Sequence, residues 1–132
     1  MTLAIAYWCV LIAAVLPYVW AGVAKAGMPR SDNRNPRAWL ARQDGNDRSQ
    51  RANAAHLNAF EAFPPFAAGV VLAQLAGVAP GTIALRAVVF IALRVLHGVL
   101  FLADVATGRS LAWLAGYLCV LALLALAAIR VA

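Results

Sequence analysis

RANAAHLNAFEAFPPF, residues 51–66, places an amide, an imidazole and a carboxylate in the opening turns of a segment whose remainder is apolar enough to cross a bilayer. An ionisable group at membrane depth costs roughly 2.5–3.5 kcal/mol on insertion scales, so a chain that carries one has a partner or a use for it. A second stretch of this kind, residues 94–104, holds Arg94, His97 and Asp104. The two look made to face each other.

Composition sets the class. In a chain of 132 residues, 64% are hydrophobic and 12% charged, and the mean hydropathy is +0.80. That is too apolar for a soluble domain of this size, and long enough for four spans of about 20 residues. The expected fold is all-α: a single integral membrane domain, residues 1–132, built as a four-helix bundle. A formal net charge of +6 would raise nucleic acid as a partner of a soluble protein. Here most of the positive charge lies in one connecting segment, the pattern of membrane topology, so no nucleic acid is expected. Cys9 and Cys119 lie in apolar runs without paired or metal-like spacing and read as reduced packing residues.

The first expected span, residues 3–24, has no charge and no basic residue before it, which favours a retained helix over a cleaved signal. Pro17 should kink it, and Tyr7, Trp8, Tyr18 and Trp20 suit the interfacial zones. Residues 25–50 form a polar connection in which Lys25, Arg30, Arg34, Arg37, Arg42 and Arg48 outnumber Asp32, Asp44 and Asp47. The positive-inside rule makes this loop cytoplasmic. The second span covers about 51–78, and an uncharged turn around Pro80 leads to a third at about 82–103. A short loop with Asp104 and Arg109 precedes the fourth, at about 111–130. Both termini are then extracytoplasmic, with Arg130 the one charge against this orientation.

At about 100° per residue, Arg51, Ala54, Asn58, Glu61 and Pro65 share one face of the second span, while Asn53 and His56 point elsewhere. On the third span Arg86, Phe90, Arg94, His97, Phe101 and Asp104 share another. A short turn makes the two helices antiparallel neighbours. One register then sets Arg51 opposite Asp104, Asn58 opposite His97, and Glu61 opposite Arg94. Such a cluster, open to the cytoplasmic side, serves either to lock helices together or to bind a ligand. The arginines of the first loop read as topology and lipid-headgroup contacts. No metal site is visible, because the two histidines lie on different helices without further ligands at suitable spacing.

Asn58 and Glu61, followed by Pro65-Phe66, then Arg94, His97 and Arg109-Ser110, resemble the pattern of the MAPEG family, the membrane-associated proteins in eicosanoid and glutathione metabolism. The DNRNPR run at 32–37 looks like its bacterial branch. The resemblance covers the chain from the first loop to the start of the fourth span. It implies a homotrimer in the bacterial inner membrane, with glutathione as co-substrate held near the cytoplasmic face between subunits. It further implies that Arg109, with Ser110 beside it, is the catalytic pair favouring the thiolate. Asn58, Glu61 and His97 match other glutathione-contacting positions, Arg94 matches a family arginine, and Lys25 is a further contact candidate.

Glutathione carries two carboxylates, an ammonium and a thiol, so arginines, a carboxylate and amide or imidazole donors suit it. Two positions depart from the glutathione-using members: Ala54 replaces an arginine that Arg51 can substitute for, and Phe101 replaces a tyrosine. The segment between His97 and Arg109 is also one residue shorter than in the prostaglandin-synthase branch. The function expected is a glutathione-dependent transferase or peroxidase acting on lipophilic electrophiles from the bilayer. A non-catalytic lipid-binding protein of the same fold and a small transporter stand as alternatives.

Overall fold

A computed structural model describes residues 1–26, 34–42 and 46–132, the side chains of residues 40 and 41 excepted. Arg30, Asp32 and Asp44, and with Asp32 the start of the DNRNPR run, lie outside the described residues. The chain forms α1 (Leu3–Lys25), α2 (Pro36–Ala41), α3 (Asp47–Leu75), α4 (Pro80–Leu102) and α5 (Ala106–Val131).

The four long helices pack as a bundle. The antiparallel pair α3 and α4 is central, and α1 and α5 each pack against both of its members from opposite sides. Among the described residues three helices, α1, α4 and α5, are long and apolar enough to cross a membrane. α3, the longest at 29 residues, is not among them, because it carries the polar stripe. The fold is that of an integral membrane helical bundle.

Local chemistry moves several helix ends from their expected places. Asn46 caps α3, its side-chain oxygen accepting from the Ser49 N–H at 3.0 Å, so α3 starts about one turn before Arg51. Its C-terminus falls before residue 78 because Gly77 turns left-handed at φ +74 and the Val78 N–H reaches back to the Ala73 carbonyl at 3.0 Å. That is a Schellman closure, which glycine enters without steric penalty. α4 ends the same way with a non-glycine residue: Asp104 has φ +59, and the Val105 N–H bonds the Leu100 carbonyl at 3.0 Å. α5 then begins at Ala106 rather than 111, so Arg109 and Ser110 lie in its opening turns and not in a loop. The polar connection also contains an element the pattern did not predict, α2, which opens on Pro36 and packs on α3. Trp39 of α2 covers Ala24 and Ala52.

Small residues let the helices close. The core of Ala6, Cys9, Ala13, Phe66, Val70, Ala73, Ile83, Ala87, Phe90, Val120, Leu123 and Ala127 is rich in alanine, as membrane interfaces are when packing rather than hydrophobicity drives association. Gly98 is the tightest point, since a Cβ there would stand 2.0 Å from the Trp20 ring. Trp20 is therefore in the core, 7% exposed. Tyr7, Trp8 and Tyr18 remain exposed. Cys9 and Cys119 are free thiols, buried and half-buried.

α1 runs unbroken through Pro17. Two polar contacts from α3 fasten it: Ser49 Oγ donates to the Ala24 carbonyl at 2.7 Å, and His56 Nδ1 lies 2.7 Å from the Pro17 carbonyl. The first gives an acceptor at the end of α1 a buried partner. The second ties His56 to α1, away from the Asn58 face.

Candidate functional site

The register of α3 against α4 holds. Arg51 Nη1 lies 3.9 Å from Asp104 Oδ2, and deeper in the bundle the Phe66 and Phe90 rings stack with centroids 3.9 Å apart. Between these markers the pairing differs from expectation. Arg94, 4% exposed, donates from Nη2 to Asn58 Oδ1 at 2.6 Å, and Asn58 is not hydrogen-bonded to His97. The only ion pair among the described residues is Arg51–Asp104, so Glu61 does not pair with Arg94 within 4.0 Å. A long guanidinium stem explains the change. It carries the charge about one turn along the axis toward the polar end of the bundle, past Glu61 at its own level, to Asn58. Glu61 is left exposed.

Three pockets adjoin along this seam. An inner pocket of about 120 Å³ is lined by Asn58, Glu61, Arg94 and the apolar side chains of α3, α4 and α5, including Phe90, Trp113 and Tyr117. Glu61, Trp113 and Tyr117 are exposed, which puts its opening on the outer face of the bundle. A mouth pocket of about 230 Å³ brings together Asn58, His97, Phe101, Arg109, Ser110 and Trp113. A rim pocket of about 340 Å³ is lined by Asp47, Gln50, Arg51, Ala54, Phe101 and Asp104. Asn58 and Trp113 are shared by the first two, and Phe101 by the last two.

The residues singled out from sequence therefore converge, with two exceptions. Lys25 ends α1 and lines none of these pockets. Arg86 folds back to bond the Thr82 carbonyl of its own helix at 3.2 Å and leaves the stripe. The pattern missed Trp113 and Tyr117, whose rings stack at 5.3 Å. Their four-residue spacing continuing from Arg109 marks one face of α5 and was the available signal.

Three arginines are held in three ways. Arg51 has a carboxylate 3.9 Å away, and Arg94 an amide oxygen. Arg109 has an aromatic face, its guanidinium carbon lying 4.3 Å from the centroid of Phe101. Arg94 Nε and Arg51 Nε are buried without an acceptor. His97, 3% exposed, meets the Phe101 ring edge-on at 5.4 Å. The seam thus presents three arginines beside exposed Glu61 in the inner pocket and exposed Asp47 and Asp104 at the rim, a constellation suited to a small ligand that carries charges of both signs. No group of histidine, cysteine, aspartate and glutamate able to hold a metal occurs among the described residues.

No curated protein and no solved structure matches this chain. A family model does, over residues 5–129, spanning all four long helices and the whole seam. The chain belongs to the MAPEG family.

Proposed function

We propose that this chain is a membrane-bound glutathione-dependent transferase or peroxidase acting on lipophilic electrophiles, with Arg109 as the group that favours the thiolate. The observation that carries the reading is the Arg109 guanidinium at the mouth pocket beside Ser110, Asn58 and His97, without a carboxylate in ion-pair reach. Family membership supports the broader statement, a membrane protein of glutathione and eicosanoid metabolism type.

Glutathione as co-substrate supplies the sulfur nucleophile and brings two carboxylates and an ammonium with it. The seam fits those charges. Exposed Glu61 suits the ammonium, and the guanidiniums of Arg94 in the inner pocket and Arg51 at the rim suit carboxylates. Arg109 and the Ser110 hydroxyl stand where a thiolate needs a cation and a donor. A thiol of ordinary pKa about 8.5 is mostly protonated at neutral pH, so a fixed cation that favours the anion raises the reactive fraction. In transfer, the sulfur–carbon bond forms as the carbon's bond to its leaving group breaks, and the thiol proton passes to water at the polar mouth. The apolar wall of Phe90, Trp113 and Tyr117 suits the electrophile, which reaches it laterally from lipid. Holding both partners along one seam contributes proximity as well as charge.

The assembly we propose is a homotrimer with the α1–α3 connection cytoplasmic and both termini outside, in a bacterial inner membrane. In it the exposed apolar faces of the bundle meet neighbours and lipid. Lys25, remote from the pockets of its own chain, is in this reading a contact offered to an adjoining subunit.

Calorimetry of glutathione binding to the purified protein, with the ultraviolet absorbance of bound thiolate, tests this for wild type and Arg109→Ala. Binding with a thiolate signal that vanishes in the variant is expected, with kcat lowered about 10²–10³-fold. Absence of binding at millimolar glutathione would overturn it. Saturable lipid binding would then favour the non-catalytic reading, to which Ala54 in the rim pocket already lends weight.

A further inference from the structure

Arg109 differs from the other arginines of the seam in what holds it. A carboxylate partner, as at Arg51, cancels charge, and an amide partner, as at Arg94, occupies an N–H. An aromatic face does neither. Its attraction acts on the cation through the ring quadrupole, and the in-plane N–H groups stay free for an anion. Arg109 is also an awkward cation to place, for it lies in the opening turn of α5, where the helix dipole is positive and disfavours it.

We infer that Phe101 is the positioning residue that holds Arg109 at the mouth pocket with its charge and donors available. The ring is well placed for this. On one side it packs against the cluster of Leu16, Trp20, Ala55 and Ala59. Buried His97 meets it in a T-shaped contact, and Arg109 lies 4.3 Å from its centroid. Phe101 also forms a wall of both the mouth and the rim pockets, so it keeps Arg109 on the His97 side, apart from Asp104 on the other. In this chain the phenylalanine is thus a working part of the site, and not merely a missing hydroxyl.

The inference rests on reading the mouth pocket as the thiol site, and the experiment separates the two. In the full-length protein, Phe101 is replaced by phenylalanines carrying progressively more ring fluorines, which drain the negative face while keeping the shape. Phe101→Tyr serves as the conservative variant. Two readouts are taken: the rate at which p-hydroxyphenylglyoxal modifies Arg109, followed by peptide mass spectrometry, and the thiolate fraction of bound glutathione. Modification of Arg109 is expected to rise stepwise with fluorination, reaching about three- to tenfold, while the thiolate fraction falls in step. Phe101→Tyr should stay within about twofold of wild type in both readouts, since a phenol keeps the π face. A modification rate flat across the series would overturn the proposal and leave the ring a packing residue. A graded modification rate in a protein that binds no glutathione would support the hold and reject the thiol site.

Discussion

The Arg94 guanidinium donates to Asn58 at 2.6 Å and passes by Glu61, the carboxylate that the register sets opposite it. A buried cation is thereby stabilised by a neutral amide, while the available anion stays exposed on the wall of the same pocket. Such an arrangement leaves Glu61 outside contact distance of Arg94 and open on the pocket wall, which suits the cationic group of a zwitterionic ligand.

Loss of the amide should therefore matter more to folding than loss of the carboxylate. Asn58→Leu strands a buried guanidinium and should destabilise the protein by about 1.5–3 kcal/mol, the range for a hydrogen bond to a charged group. Glu61→Gln should change stability by less than about 0.5 kcal/mol. Denaturant titration in mixed micelles checks both. A larger loss for Glu61→Gln than for Asn58→Leu would mean that the ion pair, and not the amide, holds Arg94.

Gly98 is where α4 meets Trp20, and a Cβ would come within 2.0 Å of that ring. Gly98→Ala should cost about 1–3 kcal/mol through forced displacement of the indole. Adding Trp20→Leu should recover part of the loss, because the second change makes room for the methyl. The double-mutant coupling, read from thermal unfolding, tests the contact.

Asp104 occupies Arg51 at the rim, with 71% of its own side chain exposed. An exposed pair of this length contributes little to folding, at most about 0.2–1 kcal/mol. Asp104→Asn should thus leave unfolding almost unchanged while releasing Arg51 for an anion. Glutathione affinity is expected to rise about two- to fivefold at low salt, with the gain shrinking as ionic strength increases. Calorimetry at two salt concentrations decides it.

Ser49 anchors the start of α3 to the end of α1 through the Ala24 carbonyl at 2.7 Å. Ser49→Ala leaves that acceptor without its donor in a buried place and should cost about 1–2 kcal/mol. Hydrogen exchange should localise the effect to the last turn of α1 and the first of α3, with the Gly98 region unaffected.

The sequence by itself determined the class, the number of long helices and the shared faces of α3 and α4. These follow from composition and from periodicities that the bilayer and the helix impose on any chain. It also placed Asn58, Glu61, Arg94 and His97 near one another, because an antiparallel register follows from a short turn, while Arg109 and Ser110 entered only through the family resemblance. Helix ends were less legible. The Asn46 cap and the left-handed residues Gly77 and Asp104 decide them through individual hydrogen bonds, which hydropathy does not register. The Arg51–Asp104 pair followed from the register, but tertiary structure alone decided the partners of Arg94 and Arg109. Equal depth predicted Glu61 for Arg94, yet the length of the arginine stem selected Asn58, and nothing in a linear pattern tells that Phe101 would lie under Arg109. The reason is physical: periodicity sets the height and face of a Cβ, whereas the position of a charge at the end of several rotatable bonds depends on every surface packed around it.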